Sequence, residues 1–370
     1  GTTIILVEQS VNVALTVAQT AYFMEKGEIR FHGPTRELLE RGDILRSVFL
    51  EGAATVTGTE TVNGSKARVG VSTNGRRKEL ADAEPVLELF GVSRAFGGIK
   101  AVDDVSFKLK DGQILGVIGP NGAGKTSLFD IISGFLTTDS GEIVLHGEDV
   151  THLAPDVRAQ AGLGRSFQDA RLVPALTVSE NIAIALERQV KTRDPLAAAL
   201  NLPAVQESEK EINKRVEELI DLMGIGAFRD KFVSELSTGS RRIVDLACVL
   251  AHEPTVLLFD EPSSGIAQRE TEALGPLLLR VREATGSALL IIEHDMPLVT
   301  SIADEIIALD LGRVVTQGTP QEVVNHPRVV ASYLGTEEEF IARSGALSGP
   351  GTGSNPKSTR TRNKRTAKSG

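Results

Sequence analysis

The chain has 370 residues, 49 acidic against 40 basic side chains for a net charge of −9, and a single cysteine, Cys248. The acidic balance argues against a general nucleic-acid binder. One cysteine rules out an internal disulfide or a Cys-rich metal site and points to a reducing, cytosolic compartment, with Cys248 read as a small buried apolar residue. No apolar run reaches the roughly 18 residues a membrane-spanning helix needs, so a soluble chain of one large or two smaller domains is expected. It begins with Gly and carries no signal-peptide pattern, as a fragment or processed chain would.

Residues 1–50 start like the inside of a domain. Thr2-Thr3-Ile4-Ile5-Leu6-Val7 is an apolar, β-branched strand that leads into Glu8-Gln9 and a helical pattern through Ala18. An internal repeat accounts for it. At an offset of 285 residues, without a gap, Glu8 falls on Glu293, Gln9 on His294, Ala18 on Ala303, Gly27 on Gly312 and Gly33 on Gly318. Both copies then run through a Gly turn, a short strand, a second Gly and a helix, ending in Phe49-Leu50 and Tyr333-Leu334. Residues 1–50 are therefore expected to be the last segment of a first domain of the same type. Residues 51–84, rich in Gly, Thr, Ser, Asn and charge, with Arg76-Arg77-Lys78 solvated, are expected to be a flexible linker.

The main domain is expected over 85–335. It opens with strands at 86–90 and 105–110, turns through Asp111-Gly112, and reaches a buried strand at 113–118. Gly119-Pro120-Asn121-Gly122-Ala123-Gly124-Lys125-Thr126 follows, a full match to the phosphate-binding pattern G-x-x-x-x-G-K-[ST]. Its glycines let the backbone turn N–H groups onto phosphate oxygens, Lys125 brings a positive charge to the β and γ phosphates, and Thr126 offers a hydroxyl to Mg²⁺. A helix over 125–135 presents its positive end to the anion.

Further strands are expected at 141–145 and 162–167. Between about 179 and 222 the apolar spacing is helical and the surface charged, marking an inserted helical subdomain over about 168–250. Leu236-Ser237-Thr238-Gly239-Ser240 opens a helix that runs to Leu250 and offers a second anion-binding N-terminus. Strands return at 255–259 and 288–292, each after a helix, the alternation of a doubly wound α/β core. The first of these ends in Asp260-Glu261. Asp260 is placed to hold Mg²⁺ through its water shell, and Glu261 to orient and deprotonate a water for attack on the γ phosphorus. The tail, 336–370, loses its pattern and holds six basic residues and no acid between 357 and 368, so disorder is expected.

Phosphate loop, Gln168, Leu-Ser-x-Gly, apolar-Asp-Glu and His294, in this order, resemble the nucleotide-binding domain of ABC ATPases. The resemblance covers about 85–335 and implies a P-loop NTPase fold with a mixed sheet core, an antiparallel β subdomain and a helical subdomain. It implies that Phe96 stacks on adenine, that Gly119, Asn121, Gly122, Ala123, Gly124, Lys125, Thr126 and Ser127 cradle ATP, and that Gln168 joins Thr126 and Asp260 around Mg²⁺. It further implies that Gln168 relays the nucleotide state, that His294 contacts the γ phosphate beside the catalytic Glu261, and that Ser264-Gly265-Ile266 crosses a dimer interface. Two such domains pack head to tail, as a homo- or heterodimer, with Ser237 and Gly239 of one closing over ATP held by the other. Thr238 and Ser240 depart from the usual second glycine and Gln of that signature, and Gln9 stands at the switch position of the N-terminal copy. Phe96-Gly97-Gly98-Ile99-Lys100-Ala101-Val102, Arg165-Ser166-Phe167-Gln168 and Tyr333-Leu334-Gly335 are similar to one of the two ATPases of branched-chain amino acid importers. Glu8-Gln9 with Asn12-Val13-Ala14 is similar to the other. The partners implied are transmembrane permease subunits and, through them, a substrate-binding protein, with no nucleic acid. The place implied is the cytoplasmic face of the cell membrane, peripherally bound. A soluble ABC protein acting on ribosomes or DNA, and a phosphotransferase using the same loop, are the rival readings.

Overall fold

The structure is a computed structural model that describes residues 5–6, 18–25, 28–35, 80, 82–167, 171–189, 203–266 and 268–334. Most of the linker, the tail, the helix expected before Ala18 and Gln168 lie outside the described residues. Of the strand expected at residues 2–7, only Ile5 and Leu6 are described. They are exposed and lie in no strand, as an apolar edge is when no neighbouring strand hydrogen-bonds to it.

Near the N-terminus, β1 (Thr20–Glu25) and β2 (Glu28–Pro34) form an antiparallel hairpin. The described strands of the main domain begin with β3 (Pro85–Phe96) and β4 (Ile99–Lys110), a longer hairpin than the two short strands expected there. Its register slips at several points, so the polar and glycine residues that hid the pattern sit at irregularities of a continuous pair. With β6 (Ser140–Leu145) and β7 (Glu148–Asp149) it makes an antiparallel sheet in the order β4-β3-β6-β7.

The central sheet has six strands. β5 (Ile114–Ile118), β8 (Leu163–Ser166), β9 (Val256–Asp260), β10 (Ala288–Ile292), β11 (Glu305–Asp310) and β12 (Arg313–Gly318) lie in the order β12-β11-β5-β10-β9-β8. All neighbours are parallel except β11 and β12. Every residue of β5, β9 and β10 is buried, as continuous apolar runs are when helices cover both faces. The alternation of strand side chains divides the core. Leu115, Val117, Leu258, Leu290 and Ile292 pack with the helix after the phosphate loop, whereas Ile114, Leu257, Phe259, Leu289 and Ile291 pack with the helical region.

On the first face lie α1 (Lys125–Ile132) and α2 (Pro155–Gln160). On the second lie α3 (Val178–Ala185), α4 (Pro203–Met223), α5 (Thr238–Leu250) and α6 (Gln268–Thr285). Then come α7 (Met296–Ile302), α8 (Pro320–Val324) and α9 (Pro327–Leu334), whose apolar side chains gather around Ile118 and Ile306. Glu-rich α4 and the short α3, entered by the Thr177–Glu180 capping box, supply the helices expected within the inserted region.

α1 ends at Ile132, earlier than the 125–135 expected from sequence, because its last carbonyls are taken by Arg158. That guanidinium is almost wholly buried and donates to the carbonyls of Ile131 and Ile132 at 2.7 Å, of Thr151 at 2.8 Å and of Leu153 at 3.0 Å. A cation at a helix C-terminus complements the helix dipole and satisfies orphan acceptors at once. Arg158→Leu removes the side-chain donor from four carbonyls, of which Ile131 keeps the Gly134 N–H, and we expect it to lower stability by about 3–5 kcal/mol, read as a fall in the urea midpoint with the slope unchanged.

Candidate functional site

Lys125 and its loop sit where β5 ends and α1 begins, at the strand order's switch between β10 and β11. Gly124 takes φ +96°, and a Cβ there would stand 2.0 Å from the Ala101 carbonyl oxygen, so no larger residue fits. The turn at Gly312, between β11 and β12, donates to the Ala123 carbonyl at 3.0 Å and accepts from Asp103 at 2.8 Å, bracing the loop from outside. The Lys125 ammonium is buried and donates to the carbonyls of Gly119 at 2.7 Å and Pro120 at 3.1 Å. Burial pulls its pKa down to about 8, against the opposing pull of the Glu261 and Asp260 charges. Asn121, Gly122 and Thr126 are exposed and Ser127 half-buried, leaving the loop's inner rim open to a ligand.

β9 and β10 bring the acidic groups. Asp260, the last residue of β9, pairs with Ile292 in β10, and its carboxylate meets Arg165 at 3.2 Å. Burial raises its pKa, and Arg165 works in the opposite direction. Arg165 also bonds Asp130 at 2.7 Å and Ser133 Oγ at 2.6 Å, and its plane lies against Phe167. Glu261 adopts φ +49°, a left-handed conformation uncommon outside glycine, held by an N–H bond to the Ile292 carbonyl at 3.0 Å. That turn aims its carboxyl at His294, whose Nε2 lies 2.8 Å from Glu261 Oε1. Burial and the charge of Lys125 lower the His294 pKa, so at neutral pH a neutral imidazole carries its proton on Nε2 and donates it to Glu261. Before nucleotide arrives, the two residues that the resemblance assigns to the γ phosphate and its water are thus bonded to each other.

Glu293, just before it, is buried and accepts from Ser263 N and Ser263 Oγ at 2.8 Å, His294 N at 3.0 Å and Asp295 N at 3.3 Å. It fixes the Ser264-Gly265-Ile266 loop to the end of β10.

Ser237 and Gly239 lie at the start of α5, in the helical layer. Ser237 caps the helix by accepting from Ser240 N at 3.1 Å, and its hydroxyl also meets Ser240 Oγ at 3.0 Å. Arg242, one turn in, donates to the carbonyls of Phe167 at 2.7 Å, Glu261 at 2.8 Å and Pro262 at 3.5 Å. Asp245 accepts from Ser166 Oγ at 3.0 Å. Gln168 follows the anchored Phe167 but is outside the described residues. Phe96, at the end of β3, exposes its ring, with the Arg94 guanidinium 5.2 Å from the ring centre. Cys248 is half-buried, its thiol pushed up to about 12 by burial, and it takes no part in the site.

Sequence reasoning gave no role to Arg165, Arg242, Asp245 or Glu293. Each is a polar residue within a few positions of a motif, and in an apolar setting that pattern marks a buried bond donor or acceptor. Among the described residues no His, Cys, Asp or Glu cluster could by itself hold a metal ion. The resemblance assigns Thr126 and Asp260 to a cation shared with phosphate oxygens. The donor set suits that: a hydroxyl and a carboxylate are hard oxygen ligands of the kind Mg²⁺ takes beside a bound triphosphate.

A phosphate-binding loop after β5, a histidine just past the neighbouring strand β10 and an acid pair at the end of the next strand, β9, define a nucleotide-hydrolysing P-loop domain. Comparison with known proteins narrows this. The ABC transporter family model matches residues 102–264, and the model for the branched-chain amino acid ATP-binding cassette transporter matches residues 313–339. The chain is 34% identical over 253 residues to the high-affinity branched-chain amino acid transport ATP-binding protein BraF of Pseudomonas aeruginosa, covering 68% of this chain and 99% of that protein. The high-affinity branched-chain amino acid transport ATP-binding protein LivG of Salmonella typhimurium matches at the same identity and coverage. Among solved structures, a nucleotide-free ATP-binding cassette from an ABC transporter aligns with a TM-score of 0.59 and 27% identity over 68% of this chain and all of that one. The chain belongs to the ABC transporter ATP-binding family, and it is an ATPase.

Lys125 predicts a proton count. Above pH 8 its amine is largely neutral in the free protein, and phosphate beside it restores the charge. ATP binding at pH 9 should take up close to one proton, roughly 0.9, and at pH 7 only about 0.1, measured calorimetrically in buffers of different ionisation enthalpy.

Proposed function

We propose that this chain is the ATP-hydrolysing subunit of an importer for branched-chain amino acids or related small amides. It would work at the cytoplasmic face of the membrane as one half of a head-to-tail pair of cassettes. The observation that carries this reading is the convergence of Lys125, Asp260, Glu261 and His294 at the ends of three adjacent parallel strands. The similarity to BraF and LivG over the whole length of those proteins supports the substrate class.

In this reading Phe96 stacks on the base, and the backbone of residues 119–127 together with Lys125 cradles the phosphates. Thr126, Asp260 and Gln168 would hold Mg²⁺, which would supply charge neutralisation for the triphosphate, and Asp260 would be freed for this by giving up its ion pair with Arg165. Glu261 leaves His294 and takes the proton of the attacking water, while His294 turns its Nε2–H to the γ phosphate. Ser237 and Gly239 cover the site of the partner cassette, with Ser237 giving up its helix cap. The permease subunits would dock beside Gln168. A cavity of about 390 Å³ opens beside Phe167, walled by Phe167, Arg171 and α3, with the apolar Val173 and Ile184 exposed at its rim.

We also propose the division into a C-terminal cassette segment at 1–50, a linker at 51–84, a full cassette at 85–335 and a basic tail at 336–370. The hairpin β1–β2 supports it. Displaced by 285 positions it matches β11–β12 pair for pair, from Ala21↔Gly33 on Ile306↔Gly318 to Glu25↔Glu28 on Asp310↔Arg313. The register shift falls at the same place, Phe23/Met24 and Ala308/Leu309.

Phosphate release by the full chain should rise more than linearly with protein concentration, and Glu261→Gln should cut it by about 10²–10⁴-fold while ATP still binds. Turnover that survives this substitution would remove Glu261 from its role. ATP binding without turnover at any concentration would mean that two copies of this chain do not complete each other's sites.

A further inference from the structure

The phosphate loop is held at its first residue by a side chain from the far end of the domain. The Gly119 N–H donates to the Tyr333 hydroxyl oxygen at 2.6 Å. Tyr333 is carried on α9, and its ring packs beside Ile118, Val299, Val323 and Val329. The carbonyl of this same Gly119 receives the Lys125 ammonium at 2.7 Å. Gly119 is therefore held on both sides of its Cα, by the phenol through the peptide N–H before it and by the Lys125 ammonium through the carbonyl after it.

We propose that Tyr333 is a positioning residue for ATP, fixing the first peptide of the phosphate loop and through it the place from which Lys125 meets the phosphates. The proposal rests on the assignment of this loop to ATP. Its geometry has three supports. A buried N–H without an acceptor is expensive, so the loop is tied to wherever α9 places that oxygen. Burial and the nearby Asp310 charge push the phenol's pKa up, so the hydroxyl stays protonated throughout the working range and the bond does not switch with pH. The same stretch of chain grips the loop a second time, through Gly312 N–H on the Ala123 carbonyl, and Arg313 secures that turn by its ion pair with Asp103 at 2.6 Å. Arg313 and Tyr333 both fall within residues 313–339, the part matched by the branched-chain amino acid cassette model, so the segment that sets this subgroup apart is in direct contact with the common ATP site.

Tyr333→Phe in the full chain tests the idea, since it keeps the ring and removes only the oxygen. The dissociation constant for a non-hydrolysable ATP analogue with Mg²⁺, measured by calorimetry, should rise about five- to tenfold, while kcat at saturating ATP stays within about twofold. Amide exchange in the nucleotide-free protein should speed up across residues 118–125 and stay unchanged in β9 and β10. Tyr333→Leu calibrates loss of the ring, and it should lower the melting temperature clearly further than Tyr333→Phe does. Unchanged or tighter analogue binding in Tyr333→Phe overturns the proposal. So does a variant whose exchange rises uniformly through the core with a matching fall in melting temperature, because that is a packing role alone. If the unsubstituted chain binds no analogue, the assignment of the loop to ATP falls, and this proposal falls with it.

Discussion

A lysine ammonium kept out of water is the constraint around which this domain is arranged. A cation in that setting must be compensated, and before phosphate arrives Lys125 has two backbone carbonyls for partners and the carboxylates of Asp260 and Glu261 for countercharge. The parallel sheet supplies this. Its strands end side by side, so residues distant in sequence arrive at one edge with the register fixed by the ladder. Burial first, and then the same positive charge, lower the His294 pKa, against the opposing pull of Glu261 and Asp260. The site is thus internally compensated: Lys125, Asp260, Glu261 and His294 each have a partner within the fold.

Those pairings keep the buried polar groups of the site satisfied. Arg165 meets Asp260, His294 meets Glu261, and the Gly119 and Pro120 carbonyls accept from Lys125; in the proposed mechanism a cation, a water and phosphate oxygens would take the places of these partners. The strained backbone of Glu261 is bonded on both sides, by Ile292 and by Arg242, so the unusual turn is paid for within the fold.

Much of this was legible in the sequence because the signals were local. Continuous apolar runs marked the strands of the central sheet, and the phosphate loop and Asp260-Glu261 declared themselves at their ends. The 285-residue offset read from scattered glycines and acids is matched by two hairpins with the same register and the same bulge. What could not be read was long-range. Nothing near Arg158 says that four carbonyls from two separate segments converge on it, and nothing near Tyr333 says that Gly119 lies 2.6 Å away, 214 positions earlier. The β3–β4 hairpin was read as two short strands because its bulges break the period-two pattern that marks a strand. The expected adenine platform, Phe96, lies at the tip of that hairpin, with its ring exposed.

Arg242 brings a mechanical consequence. One guanidinium on α5 grips carbonyls at Phe167, beside Gln168, and at Glu261 and Pro262, beside the hydrolytic centre. Sliding any of these segments past the others would strand a buried charge, at a cost of about 3–5 kcal/mol, well above thermal agitation. The three are therefore geared together: a displacement of the segment around Phe167 carries the Glu261 turn and the start of α5 with it, with little slack to absorb it.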